Sequence, residues 1–138
     1  MVVPTFVGQA LAGQAITVFG EGTQSRCFCH VDDVARALID LMSREDAYGE
    51  VFNIGSAEEI SVWDLAERVR AAADSQSEIV TVPYEEGFED VARRVPDIAK
   101  LHRLSGWAPT LSLREVLEDV VEHQRAGSST DAGLIEVA

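Results

Sequence analysis

Apolar residues at Val3, Phe6, Val7, Ala10 and Leu11 recur at three- and four-residue steps, which predicts a helix over Met1 to Ala12. Pro4 suits its first turn and Gly13 stops it. The period then drops to two. Ile16-Thr17-Val18-Phe19 predicts a strand, Gly20-Glu21-Gly22 a turn, and Cys27-Phe28-Cys29-His30-Val31 a second extended run. Asp32-Asp33 opens a helix to Ser43 with Val34, Ala37, Leu38 and Leu41 inward, its two carboxylates facing the positive end of the helix dipole.

The second half follows the same alternation. Val51-Phe52-Asn53-Ile54 predicts a short strand, broken by Gly55. Ser61-x-x-Asp64 has the form of a capping box and opens a helix from Val62 to Ala73, with Val62, Leu65, Ala66, Val69, Ala72 and Ala73 inward. Ile79 to Val82 is a further strand, ended by Pro83. Residues 84–97 follow neither period and predict a long, shaped loop. Asp97 caps a short helix from Ile98 to Ser105, Gly106 ends it, and Trp107-Ala108-Pro109 is a packed apolar connector. Ser112-x-x-Glu115 opens a last helix, Leu113 to Gln124, with Leu113, Val116, Leu117, Val120 and Val121 inward. Residues 127–138 predict a flexible tail after a unit spanning 1–126. About five helices and four short strands make an α/β mixture, and strands so scattered are expected to complete sheets with partners from outside the chain.

Composition narrows the function classes. A length of 138 residues with 46% hydrophobic content suits one folded domain. A formal net charge of −13 speaks against nucleic acid and anionic membrane as partners, since their phosphates are repelled. No apolar run approaches a membrane span, and residues 1–15 hold no basic segment of the secretory kind, so the expected compartment is the cytoplasm.

An acidic background makes the position of each cation informative. Arg26 follows the Gly20-Glu21-Gly22 turn, and Arg93 and Arg94 lie in the 84–97 loop, whereas several other Lys and Arg residues lie among acids on helix faces. Arg26 is a candidate anion contact; its alternative is a salt bridge to Asp32, Asp33 or another acid. Cys27 and Cys29, the only cysteines, face one side of an extended run and are too close for an easy disulfide, while His30 faces the other side. They read as structural thiols in a reducing compartment.

The order ITVFGEGTQSRCFCHVDDVARAL, VFNIGS, RRVPDIAKL and GWAPTLSLREVL resembles the C-terminal half of extended short-chain dehydrogenases/reductases, the NAD-dependent epimerase/dehydratase family. Its members include nucleotide-sugar epimerases, 4,6-dehydratases and UDP-glucuronic acid decarboxylases. The resemblance covers about residues 2–125, and the loop GFEDVARRVPDI is most similar to decarboxylase-like members. It implies the C-terminal nucleotide-sugar-binding subdomain of an extended Rossmann-type fold, without the N-terminal Rossmann half. In the family NAD is held by a Gly-rich turn, and a Tyr-x-x-x-Lys pair performs the chemistry. This chain contains no G-x-x-G-x-x-G, and neither Tyr48 nor Tyr84 has a lysine four residues on. The expectation is a chain that binds no NAD alone and is not catalytically competent alone, with a UDP- or dTDP-sugar as ligand and a separate Rossmann half or a second copy as partner. The alternative is a non-catalytic remnant or stand-alone binding protein.

Carried over by resemblance, the backbone of Thr17, Val18 and Phe19 would bond the base, Arg26 the diphosphate, with Gln24 nearby. Asn53 would touch substrate, Arg94 the phosphate or sugar carboxylate, and Asp90 the ribose hydroxyls. From the residues themselves, Asn53 and Asp90 could equally shape loops, Phe19 reads as core, Asp32 and Asp33 as helix-start residues, and Arg93 as a salt bridge. Ser25 stands where the family has Thr, and Val95 replaces a frequent lysine.

Overall fold

The computed structural model describes residues 1–84 and 90–131. Helix α1 (Val2–Leu11) buries Val3, Phe6, Val7 and Ala10, the stripe its spacing dictates. Strand β1 (Ile16–Phe19) buries Ile16 and Val18 beneath it and pairs in parallel with β4 (Ile79–Val82), Ile16 opposite Ile79 and Phe19 opposite Val82. Between these strands run β2 (Ser25–Cys27), α2 (Val31–Met42), a 3₁₀ turn (Glu45–Ala47), β3 (Glu59–Ser61) and α3 (Val62–Ala72). Beyond β4 come α4 (Ala99–Ser105) and α5 (Leu113–Asp131).

Helices α1, α3 and α5 pack on one another and on β1, forming one core with Leu65, Ala66, Val69, Leu117 and Val121 at its centre. Ser61 caps α3 by accepting from the Asp64 N–H at 3.0 Å, and Ser112 and Glu115 bond reciprocally at the start of α5. Both capping boxes form as spaced. Gly106, at φ 71°, ends α4, and the Asp97 carboxylate accepts from the Ala99 N–H at 2.9 Å.

Four expectations are corrected. The second strand is Ser25–Cys27 and not Cys27 to Val31, because its partner is Glu59–Ser61, and Val31 already belongs to α2. Val51 to Ile54 is not a strand: no extended neighbour lies beside it among the described residues, and Phe52 and Ile54 pack instead against Ala37, Leu101 and Trp107. Leu38 is not inward but 49% exposed. Helix α5 continues past Gln124 to Asp131, anchored where Gln124 donates to the Pro4 carbonyl and Arg125 to the Ala73 carbonyl. The expected loop and tail fall in part on residues 85–89 and 132–138, outside the described residues.

Asp33 joins the second, smaller core to the rest. It is 2% exposed, and its carboxylate accepts from the Thr110 and Leu111 N–H groups at 2.9 and 3.0 Å, from the Thr110 hydroxyl at 2.8 Å, and from Arg36. Its backbone carbonyl takes the Trp107 indole N–H at 3.1 Å. The helix start is capped by His30, whose Nδ1 accepts from the Asp32 N–H, so Asp33 is free to hold the connector. Burial alone would push the Asp33 carboxyl up, but the Leu111 N–H, the Arg36 guanidinium and the Thr110 donors hold it well below the usual carboxylate range.

A folded-state value below the unfolded one makes this stabilisation complete above the ordinary carboxylate range, and it is lost progressively as pH falls from that range toward the much lower folded-state value. Asp33→Ala should cost about 3 kcal/mol in urea unfolding at neutral pH, the scale of losing a buried charged acceptor. The gap between wild type and variant should shrink as the pH drops below about 4. A gap that stays constant with pH would refute the assignment.

Candidate functional site

Strand β1 runs into a turn where Gly20 and Gly22 both have positive φ, 66° and 71°. A Cβ at Gly22 would lie 2.8 Å from Val18 Cγ1 and 3.1 Å from Trp63 Cβ, so the turn can lie against β1 and the start of α3 only as glycine. The Trp63 N–H donates to the Gly22 carbonyl and the Val62 N–H to the Gln24 carbonyl, each at 3.0 Å. The turn thereby delivers Gln24 and Arg26 to the side where Thr17 and Phe19 emerge. These four, with Tyr84 and Asp90, line a cleft of about 310 Å³ that also draws on Phe6 and Val62.

Arg26 is the charge in the cleft, 20% exposed at its side chain. Its Nη1 donates to the Ser25 and Val91 carbonyls at 2.7 and 2.6 Å, and its Nη2 to Asp90 Oδ1 at 2.5 Å. Three of its five N–H donors meet acceptors among the described residues. Asp90 Oδ2 accepts from the Tyr84 hydroxyl at 2.5 Å, and that hydroxyl accepts from Gln24 Nε2 at 2.8 Å. Phe19 and Tyr84 stack with ring centroids 5.9 Å apart and planes at 21°. The Tyr84 hydrogen bond, ahead of the Arg26 guanidinium, holds the Asp90 carboxyl below its ordinary value against partial burial. Burial, and then the Asp90 contact, push the Tyr84 phenol up.

Against this geometry, residues 1–55 match the model of the NAD dependent epimerase/dehydratase family. The chain is 37% identical over 125 residues to the UDP-N-acetyl-alpha-D-glucosaminuronate decarboxylase of Bacillus cytotoxicus, covering 88% of this chain and 39% of that protein. It is 42% identical over 116 residues to UDP-glucuronic acid decarboxylase 3 of Arabidopsis thaliana, covering 84% and 33%. The chain thus resembles part of the NAD-dependent epimerase/dehydratase family. The crystal structure of UDP-glucose 4-epimerase from Thermotoga maritima with UDP-glucose has a TM-score of 0.83 to this chain at 34% identity, over 93% of this chain and 40% of that one. The chain spans well under half the length of the curated relatives it matches, and corresponds to their C-terminal portion.

The fold brings Thr17, Phe19, Gln24, Arg26 and Asp90 together and leaves Val18, Asn53 and Arg94 outside the cleft lining. Val18 is fully buried. The Ile16 N–H bonds the Glu78 carbonyl just before β4 and the Gly20 N–H the Val82 carbonyl, so by alternation Val18 also turns its backbone to β4, while Thr17 and Phe19 turn theirs to the other edge. On that edge Gln9 accepts from the Thr17 N–H at 3.1 Å and donates to its hydroxyl at 2.8 Å. Phe19 is not core, being 51% exposed. Asn53 is exposed and donates to the Asp97 carbonyl at 3.2 Å, a loop-shaping contact. Arg94 is exposed, and its N–H donates to the Ser25 carbonyl at 3.3 Å, which ties its backbone to the strand bearing Arg26. Arg93 forms a two-pronged bridge to Glu59. Arg26 pairs with Asp90 and not with Asp32 or Asp33. Tyr84 was missed. Its signal was position: β4 runs parallel to β1, so a residue just past β4 reaches the end of β1.

Removing only the phenol oxygen tests this electrostatic chain. In Tyr84→Phe the Asp90 carboxyl loses its largest stabilising contact, so its midpoint in a carboxyl-carbon NMR titration should move up toward the ordinary carboxylate value. A midpoint unchanged from wild type would show that Tyr84 does not hold Asp90.

Proposed function

We propose that this chain is the part of an NAD-dependent nucleotide-sugar epimerase, dehydratase or decarboxylase that grips the nucleotide diphosphate of a UDP- or dTDP-sugar. The observation that carries the reading is Arg26 at the polar end of an apolar, aromatic-walled cleft, in a chain of net charge −13. Phe19 and the outward edge of β1 suit a base, and the Arg26 fork suits phosphate oxygens, with Gln24 nearby holding the Phe19 carbonyl and the Tyr84 hydroxyl. Arg94 is assigned the outer phosphate or sugar, and Asn53 a supporting place beside residue 97.

The residues present do not suit NAD. No Gly-rich dinucleotide turn occurs in the sequence, and the first turns of α2, α3 and α5 already carry acids, which repel a pyrophosphate. With no Tyr-x-x-x-Lys pair either, the chemical step is assigned to a Rossmann half outside these residues, and this chain alone to binding. Val31, Leu38, Ile39 and Met42 form one stripe of α2 between 49% and 71% exposed, and we assign that stripe to contact with such a half, or with a second copy in its absence. The exposed stripe and the free Cys27 and Cys29 accord with a cytoplasmic enzyme part.

Ligand-detected NMR with UDP should give weak binding, on the order of high micromolar to millimolar, because part of the pocket wall comes from elsewhere. Arg26→Ala should weaken it about tenfold, the cost of one charge-assisted hydrogen bond, and Arg94→Ala less. Arg44→Ala, which breaks a helix pair with Asp40 and a bond to the Leu104 carbonyl, both outside the cleft lining, should change it little. No saturable response to NADH is expected. Absence of UDP binding at millimolar ligand would sink the reading; equal binding by Arg26→Ala would sink the residue assignment.

The α2 stripe makes a separate prediction. The purified chain should show a concentration-dependent mass in light scattering, and Leu38→Glu with Ile39→Lys should reduce it. A monodisperse monomer at high concentration would argue that the stripe has no partner.

A further inference from the structure

Arg26 is already engaged within the cleft, and one of the groups that engage it is an anion. Nη1 is committed to two backbone carbonyls, so its position is set by the main chain of Ser25 and Val91. Nη2 is committed to Asp90 Oδ1 at 2.5 Å. Asp90 is itself pinned: the Tyr84 hydroxyl donates to its other oxygen, and Gln24 orients that hydroxyl. Every side chain in this chain of bonds lines the same cleft. From these contacts we infer that Asp90 is a built-in competitor for the diphosphate, an internal anion on the Arg26 fork that a ligand must share or displace.

The inference rests on the cleft being a nucleoside-diphosphate site, and goes beyond it in the sign of one effect. A hydroxyl acceptor in the site would make the loss of Asp90 weaken binding. A resident anion makes its loss strengthen binding, because a second negative charge placed on the same guanidinium is repelled by the first. The carbonyl of an asparagine keeps one acceptor, which can face Arg26, and its amide N–H then donates to the Tyr84 hydroxyl, so the Arg26 contact is kept while the negative charge is removed. The consequence is an affinity set low by design of the site, which favours release of a charged product.

Calorimetric titration with inorganic pyrophosphate tests it in wild type, Asp90→Asn, Arg26→Ala/Asp90→Asn, and Glu45→Gln. The last makes the same change in net charge on an exposed residue away from the cleft. Asp90→Asn should bind pyrophosphate about three- to tenfold more tightly at low salt, with Glu45→Gln unchanged and the gain absent from the double variant. Uridine, which carries no phosphate, should bind wild type and Asp90→Asn alike. Wild-type binding that is equal or weaker in Asp90→Asn overturns the competitor and leaves the cleft reading intact. Weaker uridine binding with unchanged pyrophosphate assigns Asp90 to ribose hydroxyls and overturns it too. If neither wild type nor Asp90→Asn binds pyrophosphate or UDP at millimolar concentration, the cleft reading fails and the competitor with it.

Discussion

At Gly22 only a hydrogen atom fits the space between Val18 on β1 and Trp63 on α3. Everything that gives the cleft its chemistry lies downstream of that contact. The turn is bonded to the first residues of α3, and α3 is bonded by packing to α1, α5 and β1. Gln24 and Arg26 thus inherit their positions from the main core, not from the loop in which they are written. A side chain at position 22 would lift the turn from β1 and move Arg26 with it.

Charge in this acidic chain is managed locally. Asp33 and Arg26 are the two clearest cases, and they are opposite in kind. Asp33 is deeply buried and surrounded by donors, so its charge is fully compensated and serves to clamp the 107–111 connector onto α2. Arg26 is compensated by one carboxylate and two carbonyls but remains partly exposed beside a cavity. The first arrangement is a structural bond, expensive to break and closed to ligands. The second lies at a wet surface, where exchange of one anion for another costs little. A net charge of −13 would repel a nucleotide at long range, but screening over roughly 10 Å leaves the local contact in control.

The sheets are short for a fold of this size. Strand β1 has β4 on one edge and, among the described residues, the Gln9 and Gln24 side chains on the other, and β2 pairs with three residues of β3. A glutamine amide that bonds both the N–H and the hydroxyl of Thr17 acts as a substitute strand at the edge nearest the cleft. Helix α2 is the converse: one side clamps Trp107 through Ala37 and Asp33, while the opposite stripe of Val31, Leu38, Ile39 and Met42 faces outward. An amphipathic helix with apolar residues on both faces is built for burial from two sides.

What the sequence by itself determined was everything set within a few residues: the helical stripes of α1, α3 and α5, the capping boxes at Ser61 and Ser112, the stop at Gly106, and the strands β1 and β4 with their β-branched runs. Those signals are local because a cap acts over three residues and a stripe over four. The family was legible too, since ordered motifs survive without any structure. The rest was decided by tertiary structure. A strand is a strand only beside a partner, so β2 begins at Ser25 because Ser61 lies opposite, and Val51 to Ile54 stays irregular where nothing extended lies beside it among the described residues. Nor does proximity in sequence choose an ion pair: Arg26 passes over the nearby Asp32 and Asp33 for Asp90, because His30 takes the helix cap and the connector takes Asp33. Which carboxylate meets which cation depends on distances in space, and those exist only once the core has closed.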